Sequence, residues 1–245
     1  MQTKIWAHRG ASAYAPENTL AAFKLAAEMQ ADGIELDVHF TKDRQVVVTH
    51  DDDVRRVTNH EGAVSSLTLA ELKRLDFSNK MAAFAGEKIP TFEEVLALLK
   101  PTDMMINIEL KTNWEIPNGL EEATHALVRQ YGMEERIMYS SFNHYSLLHM
   151  KKIAPEIPCG LLYDNKVARP WDYAKMLGME ALHPYFKTIT QPDYMDICMK
   201  NGIQCNCWTV NEEKDILRML EAHVTGIITN DPALALRLRT QYENA

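Results

Sequence analysis

The stretch "GIELDVHFTKDRQVVVTHD" (33–51) sets Glu35, Asp37 and His50 into an otherwise apolar, β-rich pattern. Desolvating a lone carboxylate costs more than a strand gains, so charges at such positions need partners. Side chains alternate faces along a strand. Glu35 and Asp37 therefore share one face, while Ile34, Leu36 and Val38 take the other. In "MMINIELKT" (104–112) the same alternation sets Asn107, Glu109 and Lys111 against Ile108 and Leu110. Three converging carboxylates raise each other's pKa and cannot all stay ionised without a cation. A hard divalent ion, Mg²⁺ or Ca²⁺, resolves the conflict through oxygen ligands. Taken singly, each acid also reads as a solvated strand end, or Glu109 and Lys111 as an ion pair.

Two histidines join this set. "AHRG" ends its apolar run with His8 and Arg9, and "VVTHD" ends its run with His50 and Asp51. A pair of imidazoles can act as general base and general acid on opposite sides of a reacting phosphorus. Arg9 and Lys111 carry the positive charge that a phosphate needs. His60, His125, His144, His149 and His223 fall in helix or loop patterns and are set aside.

These residues must be held by strands, and strand candidates recur along the chain: "KIWA", "GIELDV", "MMINIEL", "RIMYSSF", "CGLLY", "EALHP", "IQCNCWTV" and "TGIITN". Between them lie amphipathic runs such as "NTLAAFKLAAEMQ", "TFEEVLALLK", "GLEEATHALVRQYG" and "NEEKDILRMLEA", with apolar residues at helical spacing. Asn18, Thr91 and Asn211 stand where N-caps belong. Eight strands alternating with helices over 245 residues predict an α/β fold, a (β/α)8 TIM barrel, ahead of an open doubly wound sheet. "QVVVTH" follows "GIELDV" too closely for a crossover helix, so it is expected as a hairpin arm. Residues 51–88 are polar and irregular apart from "TLAELKRL", and read as a small insertion in the loop after the second strand. No linker or low-complexity segment interrupts residues 1–245, which favours a single domain.

With 46% hydrophobic and 24% charged residues the chain has ample material for a core. A formal charge of -8 argues against general binding to nucleic acid or to an anionic membrane. No apolar run has the length of a membrane span, so no stable membrane insertion is expected. The N-terminus "MQTKIWAHRG" lacks the apolar core of a signal peptide. Cys159, Cys198, Cys205 and Cys207 have neither zinc-site spacing nor the number of a disulfide scaffold. Small core thiols in a reducing cytoplasm are the simplest reading.

Quoted together, "HRGASAYAPENTLAAF", "GIELDVHFTKDRQVVVTHD", "IPTFEEVL", "NIELK", "SSF", "CWTVN" and "GIITNDP" resemble the glycerophosphodiester phosphodiesterase family, in family order from His8 to Pro232. The resemblance implies a TIM barrel with an insertion after the second strand. It also implies hydrolysis of a small-molecule glycerophosphodiester to sn-glycerol 3-phosphate and an alcohol. On the matching positions it makes Glu35, Asp37 and Glu109 the metal ligands and His8 and His50 the acid–base pair, with Arg9 and Lys111 on the phosphate. Phe142 and Trp208 are candidates to wall the glycerol or the leaving alcohol, or else plug the barrel top. Glu17 and Asn18 are candidate supports for the metal region, although Asn18 also reads as a helix cap. His183 is a candidate pocket residue, and His39 reads as rim structure.

Rival readings keep the same site for other tasks. A lysophospholipase D would need an apolar groove, for which "MAAFAG" (81–86) is thin support. A phosphate-binding module without catalysis leaves the two histidines and three acids without a task, and a sugar isomerase leaves the paired histidines and Arg9 unexplained. The oligomeric state is left unspecified by these patterns.

Overall fold

The computed structural model describes residues 2–112 and 118–245. Its strands are β1 (Lys4–His8), β2 (Gly33–Phe40), β3 (Val46–Val48), β4 (Met105–Leu110), β5 (Ile137–Ser141), β6 (Cys159–Tyr163), β7 (Ala181–Pro184), β8 (Gln204–Cys207) and β9 (Gly226–Thr229). Its α-helices are α1 (Leu20–Glu28), α2 (Leu69–Leu72), α3 (Phe92–Leu99), α4 (Leu120–Tyr131), α5 (His144–Ile153), α6 (Pro170–Leu177), α7 (Tyr194–Lys200), α8 (Glu213–Glu221) and α9 (Pro232–Glu243). All strands except β3 pair in parallel, and the β1–β2 pairing closes them into a barrel of eight. This is the predicted (β/α)8 barrel, with helices packed outside.

The alternation read from sequence sorts the core. Outward-facing Ile5, Ala7, Ile34, Leu36, Ile106, Ile108, Tyr139, Leu161 and Ile227 join Phe23, Phe92, Leu96 and Leu147 from the helices in one buried cluster. Inward-facing positions are more polar: Glu35, Asp37, Asn107, Glu109, Ser140, His183 and Asn206 are all buried. The floor of the barrel is tight. A Cβ at Gly160 would lie 2.4 Å from His183 Nε2, so only glycine there lets the imidazole fill the interior.

Strand β3 pairs antiparallel with β2, through Val38 opposite Val48 and Phe40 opposite Val46. Strand β4 runs along β2 to Val38 as well, so β3 occupies the other edge. That edge belongs to β1 lower down, where the register ends at His8 opposite Glu35. The hairpin arm therefore takes over the edge that β1 leaves, and the next residues return His50 to the barrel mouth. Beyond it, Val54, Val57, Val64, Leu72 and Phe77 of the insertion build a second small core together with Val47 of β3 and Ile89. The helix-like "TLAELKRL" becomes the short α2, closed by a capping box between Thr68 and Glu71.

Two of the three expected N-caps are corrected. Thr91 caps α3 through a capping box with Glu94. The cap of helix α1 is instead Thr19, one residue after Asn18, whose Oγ1 accepts from the Ala22 amide. Helix α8 begins after Glu212, not after Asn211. In both places the asparagine is engaged by the barrel mouth.

Candidate active site

The mouth is organised first by the turn after β1. Arg9 (φ 57°) and Gly10 (φ 80°) are both left-handed, which ends the strand abruptly. A Cβ on Gly10 would lie 2.7 Å from Ala22, so glycine lets this turn press against α1. The turn aims the Arg9 amide at Glu35, whose Oε2 accepts from it at 3.0 Å. His8 then faces inward, and its Nδ1 donates to Asn230 Oδ1 at 2.6 Å. Asn230 is held in turn, because its amide donates to Asn211 Oδ1 at 2.9 Å. Asn211 thus gives up a helix-capping role to brace the partner of His8.

The three acids meet as the strand faces require. Glu35, Asp37 and Glu109 are buried and offer carboxylate oxygens that all lie within 4.8 Å of one another. Lys111 Nζ sits between two of them, 3.0 Å from Asp37 Oδ1 and 2.5 Å from Glu109 Oε1. The ion pair between Glu109 and Lys111 is therefore present inside the acidic cluster. Asn18 Nδ2 donates to Asp37 Oδ2 at 2.8 Å, and Arg9 Nε lies 3.7 Å from the same oxygen.

Two cations among three acids leave an imbalance that shows in the proton affinities. Burial, with the charges of Asp37 and Glu109, pushes the Glu35 carboxyl well above its ordinary range. Burial also pushes Glu109 up to about 7, against the opposing pull of Lys111 and with the charge of Asp37 adding to it. For Asp37, burial is outweighed by Lys111 and Arg9, which hold it below the usual carboxylate range. Raised carboxyls beside one strongly ionised partner form an all-oxygen donor set that a hard divalent ion would suit.

His50 has a different support. Its Nδ1 donates to Asp51 Oδ1 at 2.6 Å. His39 Nε2 donates to the His50 carbonyl at 3.0 Å, so His39 buttresses the rim. Burial lowers the pKa of both catalytic candidates. His8 falls to about 3, with Arg9 adding to the shift, whereas for His50 the nearby Asp37 and Asp51 resist it.

A cleft of about 400 Å³ of open space is lined by His8, Arg9, Glu35, His50, Glu109, Phe142 and Trp208, with Asn107, Ser140 and Leu162 deeper in. Phe142 and Trp208 meet edge to face at 5.5 Å and wall one side. Asp37, and Lys111 paired with it and with Glu109, do not line the open wall. His183 is not part of the wall: it is fully buried in the floor, its Nε2 accepting from Asn206 Nδ2 at 3.0 Å.

Sequence reasoning passed over Asn230, Arg56 and the bracing roles of Asn211 and Asp51, whereas Asn18, read both as a helix cap and as a support of the metal region, takes the second role. Asn230 directly follows β9 at the rim, the same signal that singled out His8. Arg56 carries no such signal, because it sits in the irregular insertion.

Comparisons with known proteins fit this geometry. Residues 8–234 match the model of the glycerophosphoryl diester phosphodiesterase family. A glycerophosphodiester phosphodiesterase of Caldanaerobacter subterraneus is 46% identical over 97% of this chain and 98% of the relative. A crystal structure of a putative glycerophosphoryl diester phosphodiesterase from Silicibacter pomeroyi superposes with a TM-score of 0.91 at 26% identity, covering 99% of this chain and 94% of that one. An Oleispira antarctica phosphodiesterase, solved with its product sn-glycerol-3-phosphate, gives a TM-score of 0.88 at 28% identity over 97% of this chain and 96% of that one.

Proposed function

The chain belongs to the glycerophosphoryl diester phosphodiesterase family, and we propose that it hydrolyses glycerophosphodiesters to sn-glycerol 3-phosphate and an alcohol with the help of one divalent cation. The observation that carries this reading is the meeting of His8, Arg9, Glu35, His50 and Glu109 on the walls of one cleft. The product bound to the Oleispira antarctica relative supports glycerol 3-phosphate as the retained half.

Glu35, Asp37 and Glu109 would hold the cation, Mg²⁺ or Ca²⁺, since their oxygens lie within 4.8 Å and carry protons or a lysine that a metal can replace. When bound, the ion would supply positive charge that offsets charge on phosphorus and lowers the pKa of a nearby hydroxyl. His8 commits Nδ1–H to Asn230, which leaves Nε2 as the acceptor nitrogen on the cleft wall, the place of a general base. His50 rests with its pKa lowered by burial, and the Asp51 carboxylate on Nδ1 opposes that shift and would steady the imidazolium that a general acid needs once a proton is taken up at Nε2. An arriving phosphodiester anion acts in the same direction as Asp51, towards the protonated ring.

In the first step His8 takes the proton of the glycerol 2-hydroxyl, its oxygen bonds to phosphorus, and His50 protonates the departing alcohol. Water then opens the cyclic phosphate with the two roles exchanged, and both imidazoles return to their starting states. Arg9, on the cleft wall, holds the phosphate; Lys111 acts chiefly as counter-ion to Asp37 and Glu109. Phe142 and Trp208 wall the organic groups. Four buried free thiols agree with a reducing, cytoplasmic setting. Among the described residues no helix is long and apolar enough to cross a membrane.

The test is a metal-stripped enzyme assayed on glycerophosphocholine and on lysophosphatidylcholine, with Mg²⁺, Ca²⁺ or Mn²⁺ restored one at a time. Activity on the glycerophosphodiester should vanish with EDTA and return with one of the ions. Turnover that survives EDTA would remove the three-carboxylate metal site, and a preference for the lysolipid would move the substrate to lipids.

A further inference from the structure

His50 and Arg9 reach the cleft from different parts of the chain, yet one side chain touches the carboxylate behind each of them. Arg56 ends the short 3-10 helix Val54–Arg56 in the insertion, whose first residue, Val54, is buried in the small second core. Its Nε donates to Asp51 Oδ2 at 2.6 Å. Its two terminal nitrogens grip Glu17, one to Oε2 at 2.7 Å and one to Oε1 at 2.8 Å. Beyond these carboxylates, Asp51 Oδ1 accepts from His50 Nδ1 and Glu17 Oε1 accepts from Arg9 at 2.8 Å. An unbroken chain of charge-assisted hydrogen bonds thus runs from His50 through Asp51, Arg56 and Glu17 to Arg9.

We propose that Arg56 is a positioning residue for the reaction: it locks Asp51 so that His50 keeps its proton on Nδ1 and presents Nε2 to the cleft, and it locks Glu17 so that Arg9 keeps its place on the wall. The forked geometry of guanidinium fits this task, since one planar group satisfies two carboxylates at once. Isolated surface ion pairs contribute little. Here the value lies in orientation, because without Arg56 two carboxylates drawn to the same place repel and His50 can rotate or change tautomer. The residue touches no substrate in this scheme, which rests on the phosphodiesterase reading.

The test compares Arg56→Ala and Arg56→Lys with the unchanged enzyme on glycerophosphocholine, each in the natural background and with His50→Ala. Arg56→Ala should lower kcat by roughly 10–100-fold, the usual loss for a residue that orients a reacting one. Arg56→Lys, which offers a point charge and no fork, should fall between. With His50 already replaced, Arg56→Ala should cost far less, because most of its effect passes through that imidazole. Equal losses in both backgrounds, or no loss at all, would overturn the proposal. Ring ¹⁵N shifts of His50 provide a readout independent of turnover. They should report one Nδ1–H tautomer in the unchanged protein and a mixture in Arg56→Ala; identical spectra would overturn it too. An unchanged enzyme that is idle on the substrate would instead count against the phosphodiesterase reading, leaving the spectra to judge Arg56.

Discussion

His8 and His50 face one cleft, but the regions that hold them are built differently. His8 stands at the end of a barrel strand, behind a left-handed turn, with neutral amides of Asn230 and Asn211 as its braces. Its strand is anchored in the large core between sheet and helices through Ile5 and Ala7. His50 stands at the end of a hairpin arm, about a third exposed, and leans on Asp51 and the half-exposed Arg56. Its foundation is a satellite core of seven buried residues under an irregular insertion. One histidine is fixed by the architecture of the barrel; the other is fixed by charges and by a small attachment. The contrast fits their proposed roles, since a base that stays neutral gains from amide partners, while an acid that carries a proton gains from a carboxylate.

The largest expected effect tests whether both regions serve the same reaction. His8→Ala and His50→Ala should each lower kcat/KM by about 10²–10⁴, the usual worth of general acid–base catalysis. A steep loss in one and near-normal turnover in the other would break the pairing. A substrate with a highly acidic leaving alcohol should sharpen it, because such an alcohol departs without protonation. His50→Ala should then recover much of its rate and His8→Ala should not.

The contrast also governs what could be read from sequence. The barrel half was legible: strand alternation placed Glu35 and Asp37 on one face and Asn107, Glu109 and Lys111 on another, and the structure brings these faces together. Period-two patterns survive because buried strands tolerate few exceptions. The insertion half was legible only to His50. Arg56 reaches Glu17 across 39 positions, and nothing in residues 51–88 repeats with a period that reveals such a contact. Asn211 misled, and Asn18 was left between two roles, for a related reason. Asparagine caps helices and also braces loops, and only the fold decides between Asp37 and a helix amide as its partner.

A second expected effect concerns the foundation of the His50 region. Leu72 is fully buried in the satellite core. Leu72→Ala should cost about 2–5 kcal/mol locally, as large-to-small changes in cores do. Because this core underlies the insertion, hydrogen exchange should rise first at residues 46–89, with the barrel amides protected until global unfolding. Activity should fall with that local opening, below the midpoint of the barrel's own melt. A matched change in the main core, Leu96→Ala, should lower both together. If Leu72→Ala also melted insertion and barrel in one step, the two regions would be a single cooperative unit.

The smallest expected effect probes the barrel floor, where His183 sits against Gly160 and Asn206. His183 is buried without charge, and burial lowers its pKa from an ordinary 6.5 to about 3. The unfolded chain binds a proton at this residue below about pH 6.5, whereas the folded chain resists doing so until about pH 3. Between those limits the unfolded state holds more protons, so stability rises with pH and is lost as pH falls. The slope should approach about 1.4 kcal/mol per pH unit for one such group. Glu35 and Glu109 work in the opposite sense, because their raised pKa values make the folded state bind protons more tightly than the unfolded chain. The net slope of the unchanged protein therefore mixes both signs, and the difference from His183→Gln isolates the histidine. Gln keeps an acceptor for Asn206 and removes the titration. Urea midpoints of the two proteins between pH 7 and pH 5 should converge as pH falls, the variant gaining relative to the unchanged chain. Parallel curves would mean that the floor takes up a proton as readily as the unfolded chain does. The barrel floor would then be less tightly closed than its burial implies, and the contrast with the insertion would rest on His8 and its amides alone.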